Sequence, residues 1–293
     1  MPELPEVETV RRGLADIIIG RTVRSTRVID SPKSFPNSPS DIQEFLIGAR
    51  IATVRRRAKV LLIDLNSDYT LVTHLKMTGQ LVYRSKSVAF GAGHPSDSLI
   101  GELPDRSTRV VLEFDDGSHL YFNDQRKFGW MKLYPSIEVP TIDFMKKVGP
   151  EPLEDDFTAN MLWERLQRRK NTTIKAAILD QTVLAGVGNI YADEGLWGAK
   201  IHPATRVKDV SRQAIAELWR EIREVMSLAI EKGGSTDRNY VSVEGKRGNY
   251  LDFARAFRRD GLGCPRHPDV LIEKIRVAGR GTHICPVCQV EPI

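Results

Sequence analysis

The sequence is short of cysteine, of long apolar runs and of internal repetition, and each shortage closes off a class of protein. Cysteine occurs three times in 293 residues, always beyond residue 263. So low and odd a count builds no disulfide framework and points to a reducing compartment. No apolar run approaches the roughly 18 residues of a membrane-spanning helix. The opening residues, acidic and proline-bearing, make no secretory signal, so a cytoplasmic protein with no membrane partner is expected. The lack of a repeating period excludes a solenoid or propeller. What remains is ordinary globular material, 41% hydrophobic and 28% charged, long enough for two domains with cores of their own.

The balance is basic, with a net charge of +5, which favours an anionic partner. The cations come in bursts: Arg55, Arg56, Arg57 and Lys59; Arg168, Arg169 and Lys170; Arg258 and Arg259; Lys274, Arg276 and Arg280. Any one burst is as readily a solvated face as a binding site. Their spread over both halves favours a groove that tracks phosphates.

Residues 5–19 have the spacing of an amphipathic helix, with Pro5 at its first position and Glu6 and Glu8 in its first turn. Val7, Val10, Leu14 and Ile17 share one face. The texture then turns to β in VLLIDL (60–65), TLVTHLKM (70–77), TRVVLEF (108–114) and HLYFND (119–124), with a DDGS hairpin signal between the last two. Residues 85–106, rich in Gly, Ser and Pro, predict a long loop. A proline-bearing stretch without periodicity, 135–156, predicts a linker. Helices are expected over 157–169, 172–184, 189–197 and 209–232, then a loop or irregular hairpin over 233–250. The resulting division is an N-terminal β-rich domain (2–134), the linker (135–156), a helical domain (157–252) and a tail module (253–293).

The tail carries Cys264-Pro-Arg-His267 and Cys285-Pro-Val-Cys288, each pair enclosing two residues. Structural zinc takes four N or S ligands in a tetrahedron, and each such knuckle supplies two. Between the pairs, VLIEKIRV (270–277) and Gly279-Arg280-Gly281 predict a β-hairpin finger. A module of about 40 residues buries too little apolar surface to fold unaided, so a metal is physically apt. His283 is a second candidate for the fourth ligand, but it crowds Cys285, whereas His267 stands in the position paired with Cys264. Arg280, between two glycines at the hairpin tip, is either a solvated turn residue or a phosphate grip.

Two other stretches invite a chemical reading. AGVG (185–188) separates two apolar-faced helices and leaves Asn189 at a helix start, where N–H groups, a polar side chain and the positive dipole end make an anion site. Lys175 on the preceding helix adds a cation and is a candidate DNA contact; a capped αα-hairpin is the plainer reading. The second stretch is the opening MPELPEVETV. Removal of Met1 would make Pro2 a free secondary amine, able to attack C1′ of a deoxyribose as a Schiff-base nucleophile. An α-amino group titrates near 8, far below lysine, and the neighbouring carboxylates of Glu3 and Glu6 can move protons and orient it. Helix physics accounts for Pro5, Glu6 and Glu8, but not for Pro2 and Glu3.

With these features together, the sequence closely resembles the bacterial formamidopyrimidine-DNA glycosylases, base-excision repair enzymes that remove 8-oxoguanine and ring-opened purines. The resemblance runs through PELPEVETVRRGL, THLKMTGQL, NDQRKFGWM, GPEPL, IKAAILDQTVLAGVGNIYADE, GGST and GRGTHICPVCQ. It implies an α+β multidomain fold: a two-layer β-sandwich with flanking helices, a helix-two-turn-helix domain and a β-hairpin zinc finger, with DNA between the lobes. It implies Pro2 as nucleophile, Glu3 as catalytic acid, Glu6 as a supporting acid and Lys59 as a phosphate contact that assists catalysis. His74, Asn189 and Arg280 match phosphate clamps. Met77, Arg126 and Phe128 match the wedge that fills the hole left by the flipped base, and Arg126 would face the orphaned cytosine. The implied ligands of one zinc ion are Cys264, His267, Cys285 and Cys288. The implied partner is damaged double-stranded DNA, met by a monomer without a small-molecule cofactor, in the cytoplasm with the nucleoid.

The sequence departs from that pattern at His267, where cysteine is usual, and at Lys76, where glycine is common before the methionine. The 85–106 loop is longer, YLDFARAFRRDG (250–261) is atypical, and 235–250 aligns with the segment that closes over the flipped base. Two other functions remain: an endonuclease VIII-like glycosylase for oxidised pyrimidines, and a catalytically silent DNA-binding zinc protein. The PEL opening and the wedge speak against the first. Retention of Pro2, Glu3 and Lys59 speaks against the second.

Overall fold

The computed structural model describes residues 2–94, 96–235 and 249–290. The chain forms two compact units, one from Met1–Lys146 with Lys232–Asn249 and the other from Lys147–Glu231 with Tyr250–Ile293.

In the first unit, α1 (Leu4–Ile18) buries Val7, Val10, Leu14 and Ile18, the i, i+3, i+4 stripe that a helix on a core requires. Ile17, expected on that face, is only partly buried. The chain continues through β1 (Val23–Val28), α2 (Pro39–Phe45), β2 (Ile51–Arg57), β3 (Val60–Leu65), β4 (Tyr69–His74), β5 (Gly79–Arg84), β6 (Ala89–Gly93), β7 (Thr108–Phe114), β8 (His119–Asp124), β9 (Trp130–Pro135) and α3 (Asp143–Lys147). The strands form two antiparallel sheets, β1-β7-β8-β5-β6 and β2-β3-β4-β9. Leu61, Ile63 and Leu71 from one sheet meet Leu81, Val110, Leu112 and Phe122 from the other, and the α1 stripe joins the same core. This is the two-layer β-sandwich with flanking helices.

β3 is apolar without alternation because both its faces are covered. Val60 and Leu62 turn away from the main core into a second cluster with Val72 and Val139, packed by Trp130, Phe144 and Met145. The first part of the expected linker is therefore a cap, a 3-10 turn (Ser136–Thr141) followed by α3. Residues 85–106 also differ from the loop expected, since they contain β6, antiparallel to β5, and a 3-10 turn at Asp97–Leu99. Its alanines and glycines hide the strand from propensity. Packing fixes it: the buried Phe90 ring fills the space beside Gly13, where any Cβ would overlap it.

The second unit contains α4 (Ala159–Gln167), α5 (Ile174–Leu179), α6 (Asn189–Gly198), α7 (Arg212–Glu231) and α8 (Tyr250–Phe253), then β10 (Gly263–Cys264), β11 (His267–Leu271), β12 (Glu273–Val277) and β13 (Arg280–Ile284). α6 approaches α7 closely because Gly195 and Gly198 lie at the crossing. A Cβ on Gly195 would sit 2.8 Å from Ile222, and one on Gly198 would overlap the Glu221 carboxylate. α5 stops at Leu179 rather than 184. Asp180 Oδ1 accepts from the N–H and the hydroxyl of Thr182, and this local turn outcompetes another helical turn. Gln181 laces the break, donating to the Leu179 and Val187 carbonyls and accepting from the Gly186 N–H.

In the finger, the expected strand 270–277 is broken at the buried Ile272. β11 pairs with β10, while β12 and β13 form the hairpin. Its turn is Ala278-Gly279, both at positive φ (51° and 74°), as a two-residue primed turn requires. Arg280 is thus the first residue of β13, opposite Val277. Residues 236–248 of the expected 233–250 loop lie outside the described residues. No described helix is long and apolar enough to cross a membrane.

Candidate active site

Pro2, Glu3 and Glu6 are all buried at the start of α1. The Glu3 N–H donates to Glu6 Oε2 at 2.8 Å, and the Ser235 N–H donates to Glu6 Oε1 at 2.9 Å. Gly234, at φ +90°, brings its backbone against Glu6, so that a Cβ there would lie 3.3 Å from the Glu6 Cγ. One carboxylate therefore joins the α1 start to the first residues of the segment expected to close over the base. From 236 onward that segment lies outside the described residues.

Lys59 is buried in the tight turn between β2 and β3, where Ala58 adopts φ +52°. Arg56 ties this turn to the helix, donating to the Ala58 carbonyl at 2.9 Å and to Glu8 Oε2 at 3.2 Å. Although burial opposes it, hydrogen bonds from Arg11 and Arg12 and the charges of Arg11 and Arg56 hold the Glu8 carboxyl below its ordinary range. The arginine bursts are accordingly not one phosphate track. Arg56 serves the helix, Arg55 pairs with Asp64 at 2.8 Å, and Arg169 pairs with Asp180 at 2.7 Å.

Met77, Arg126 and Phe128, expected to form the wedge, stand on two neighbouring crossovers between the sheets, residues 75–78 and 125–129. Asp124, fully buried, joins the crossovers by accepting from the Thr78 hydroxyl, the Arg126 N–H (3.2 Å) and the Gly129 N–H (2.6 Å). Met77 and Phe128 are 37% and 53% exposed, and Phe128 is thus not core. The Arg126 guanidinium lies 4.8 Å from the centre of the Phe128 ring, a cation–π geometry. Lys76 and Lys127, just before Met77 and Phe128, both take positive φ (50° and 56°).

His74 sits at the end of β4, its Nδ1 accepting from the Lys76 N–H at 3.0 Å. Burial, with the Lys76 and Lys59 charges, pushes its pKa down to about 3. The imidazole is therefore neutral near pH 7, and the acceptor role of Nδ1 places the remaining proton on Nε2.

In the second unit, Asn189 is the first residue of α6, and its Nδ2 donates to the Gly281 carbonyl at 3.0 Å. Arg280 is exposed at the start of β13. Lys175, expected as a DNA contact, is not at the surface. Its side chain is 0% exposed and its Nζ lies 2.6 Å from Asp193 Oδ1, with further donation to Thr282 Oγ1 at 2.7 Å. A cation enclosed and neutralised in this way does not reach a phosphate.

Cys264, His267, Cys285 and Cys288 place their ligand atoms within 4.8 Å of one another. Cys264 and Cys288 sulfurs are 3.7 Å apart, and His267 Nδ1 lies 3.3 and 3.9 Å from the sulfurs of Cys288 and Cys285. Tetrahedral zinc with its usual bond lengths sets such edges at about 3.5–3.8 Å, so this set fits one structural zinc, for which His267 would offer Nδ1. His283 is turned away, its Nδ1 3.1 Å from Asp193 Oδ2.

Some residues of these sites escape sequence reading. Asp124 and Arg56 carry only weak local signals. Asp193 and Glu194 carry a better one, two acids inside an apolar helix, which must be satisfied if buried. Glu194 is fully buried and accepts the N–H groups of Arg255, Ala256 and Phe257 at 2.8–2.9 Å. It thereby holds the atypical stretch before the finger.

Three family models match the chain: the formamidopyrimidine-DNA glycosylase N-terminal domain over residues 1–131, the formamidopyrimidine-DNA glycosylase H2TH domain over 148–240, and the zinc finger found in FPG and IleRS over 270–290. The formamidopyrimidine-DNA glycosylases of Herpetosiphon aurantiacus and Chloroflexus aurantiacus are 44% and 42% identical over 290 residues, which is 99% of this chain and 100% and 98% of theirs. Among solved structures, Lactococcus lactis Fpg in complex with DNA containing an abasic site is similar with a TM-score of 0.86. It is 34% identical, covering 99% of this chain and 100% of that one. A point mutant of the same protein, in complex with DNA containing Fapy-dG, gives 0.87 at the same identity and coverage. Sandwich, helix-two-turn-helix unit and zinc finger in this order define a class of DNA glycosylase. The chain belongs to the formamidopyrimidine-DNA glycosylase family.

Proposed function

We propose that the chain is a bifunctional DNA glycosylase and AP lyase of base-excision repair that excises 8-oxoguanine and formamidopyrimidines from double-stranded DNA, with Pro2 as its nucleophile. The observation that carries this reading is the start of α1. Pro2 and Glu3 stand buried ahead of the helix, braced by a Glu6 carboxylate shared between the Glu3 and Ser235 amides. The Glu3–Glu6 bond is the capping box that starts the helix, whereas the bond from the Ser235 amide to the same carboxylate serves no helix start.

After Met1 is removed, the Pro2 nitrogen lone pair attacks C1′ of the extruded nucleotide. The glycosidic bond breaks and its electrons leave with the base, which takes a proton; the sugar opens to an iminium on Pro2. Loss of a C2′ proton then expels the 3′-phosphate. A further elimination expels the 5′-phosphate, and water releases the amine. Glu3 carries the proton at the sugar, Glu6 fixes the Glu3 backbone, and Lys59 meets a phosphate beside the reacting sugar. His74 offers a neutral Nε2–H to phosphate, while Asn189 and Arg280 offer an amide and a guanidinium. Met77, Arg126 and Phe128 fill the vacated stack, with Arg126 toward the unpaired base. The zinc ion shapes the finger and takes no part in bond breaking. The Schiff-base route needs no further cofactor, and the enzyme works as a monomer on chromosomal DNA in the cytoplasm.

Borohydride reduction tests the reading. With a duplex containing 8-oxoguanine, the purified protein should form a covalent adduct, and more of it than with an oxidised pyrimidine. Adduct on neither duplex would remove the enzyme reading, and preference for the pyrimidine would favour an endonuclease VIII-like specificity. Pro2→Gly should lose most of the adduct; an undiminished yield would exclude Pro2 as nucleophile.

A further inference from the structure

We propose that Asp193 and Lys175 are positioning residues, whose buried ion pair fixes the backbone of residues 280–283 and so aims the Arg280 guanidinium. The inference rests on the reading of Arg280 as a phosphate contact. Asp193 comes from α6 and Lys175 from α5, both with side chains 0% exposed. From this pair, bonds run to three successive residues of β13 and, through one of them, to a fourth. Lys175 Nζ donates to the Gly281 carbonyl at 3.3 Å and to Thr282 Oγ1 at 2.7 Å. Thr282 Oγ1 donates onward to the Arg280 carbonyl at 3.1 Å. Asp193 Oδ2 accepts the His283 N–H at 2.9 Å. Asn189, at the first position of α6, adds its own donation to the Gly281 carbonyl.

A buried ion pair is weak support for stability, and apolar residues of similar volume serve a core as well. An apolar pair, however, cannot direct hydrogen bonds onto a strand. The zinc ligands do not replace this function, since they hold the chain at 264–267 and 285–288, away from the exposed Ala278-Gly279 turn. Arg280 follows that turn directly, and a long, rotamer-rich side chain binds better when its backbone is already set. The ion pair therefore contributes to DNA binding through Arg280 and touches no DNA itself.

The test is the salt dependence of binding to a duplex carrying a tetrahydrofuran abasic-site analogue, measured on the full-length, zinc-loaded protein. Loss of one phosphate contact lowers the slope of log K against log salt by about 0.9. Arg280→Ala and Asp193→Asn should each lower it by that amount and weaken binding by about tenfold or more. The double variant should be no worse than either single one, because both remove the same contact. Zinc content should stay at one ion per chain, as a merely structural lesion would not ensure. If Asp193→Asn strands the Lys175 charge and does not fold, Lys175→Met with Asp193→Leu removes both charges at once and should show the same slope loss. A full slope in that variant, or additive losses in the Asp193/Arg280 double variant, overturns the inference while leaving Arg280 in its role. An unchanged slope in Arg280→Ala overturns the Arg280 reading itself, and the inference with it.

Discussion

A single histidine illustrates how burial and neighbouring cations hold an imidazole neutral. His74 titrates near 6.5 when unfolded and at about 3 in the folded chain, where burial is the main cause and the Lys76 and Lys59 charges add to it. Between those values the unfolded chain binds a proton that the folded chain refuses, so stability falls as pH drops through this window and is unaffected above it. The slope from this residue is about 1.4 kcal/mol per pH unit. His74→Gln should therefore flatten the acid limb of urea unfolding measured at pH 7, 6, 5 and 4; equal slopes for both proteins would refute the assignment. Protonation of the zinc ligands affects both alike. Little of this was legible in the sequence. THLKMTGQL gives the residue and, through the resemblance, its role, but the Lys76 N–H that settles its tautomer depends on a backbone at φ +50°. Non-glycine residues adopt that region rarely. Lys175 shows the reverse error, in which a basic residue near an anion site was read as a contact although it is the buried half of an ion pair.

At the scale of the element, the finger is the part most completely readable from its residues, because four ligand positions and the metal's geometry leave few alternatives. His267 is the point at issue. Its Nδ1 lies 3.3 and 3.9 Å from two sulfurs, on either side of the tetrahedral edge, and thiolate serves zinc in the same position. His267→Cys should keep one zinc per chain by metal analysis, whereas His267→Ala should lose most of it and weaken abasic-site DNA binding with it. Full zinc in His267→Ala would show that another group completes the site. Elements that follow hydrophobic period were equally plain: α1, β3, β7, β8 and α7 lie where the pattern places them, while β4 ends at His74, three residues short of the expected run 70–77. The failures share a cause, a tertiary contact overruling local composition. β6 is a strand because Phe90 docks on Gly13. α5 ends early because Asp180 and Gln181 use their own side chains to build the turn before α6.

For the whole molecule, a net charge of +5 says less about DNA binding than the location of cations without carboxylate partners. Arg55 and Arg169 are exposed, yet each is held by an aspartate, so their fields are largely cancelled at the distance of a phosphate. Arg126 and Arg280 are exposed and have no carboxylate partner among the described residues; Arg126 lies over the Phe128 ring. Two charge-neutralising pairs of substitutions lower the net charge equally, from +5 to +3, but differ in which class they touch. Arg55→Gln with Arg169→Gln should leave the salt dependence of abasic-site DNA binding as it is. Arg126→Gln with Arg280→Gln should reduce the slope by about 0.9, the one phosphate contact of Arg280, while Arg126, read toward the unpaired base, adds a loss of affinity without a change of slope. A loss of about 1.8 would show that Arg126 meets the backbone as well. Equal losses from the two pairs would mean that overall charge, rather than these two placed guanidiniums, draws the protein to DNA.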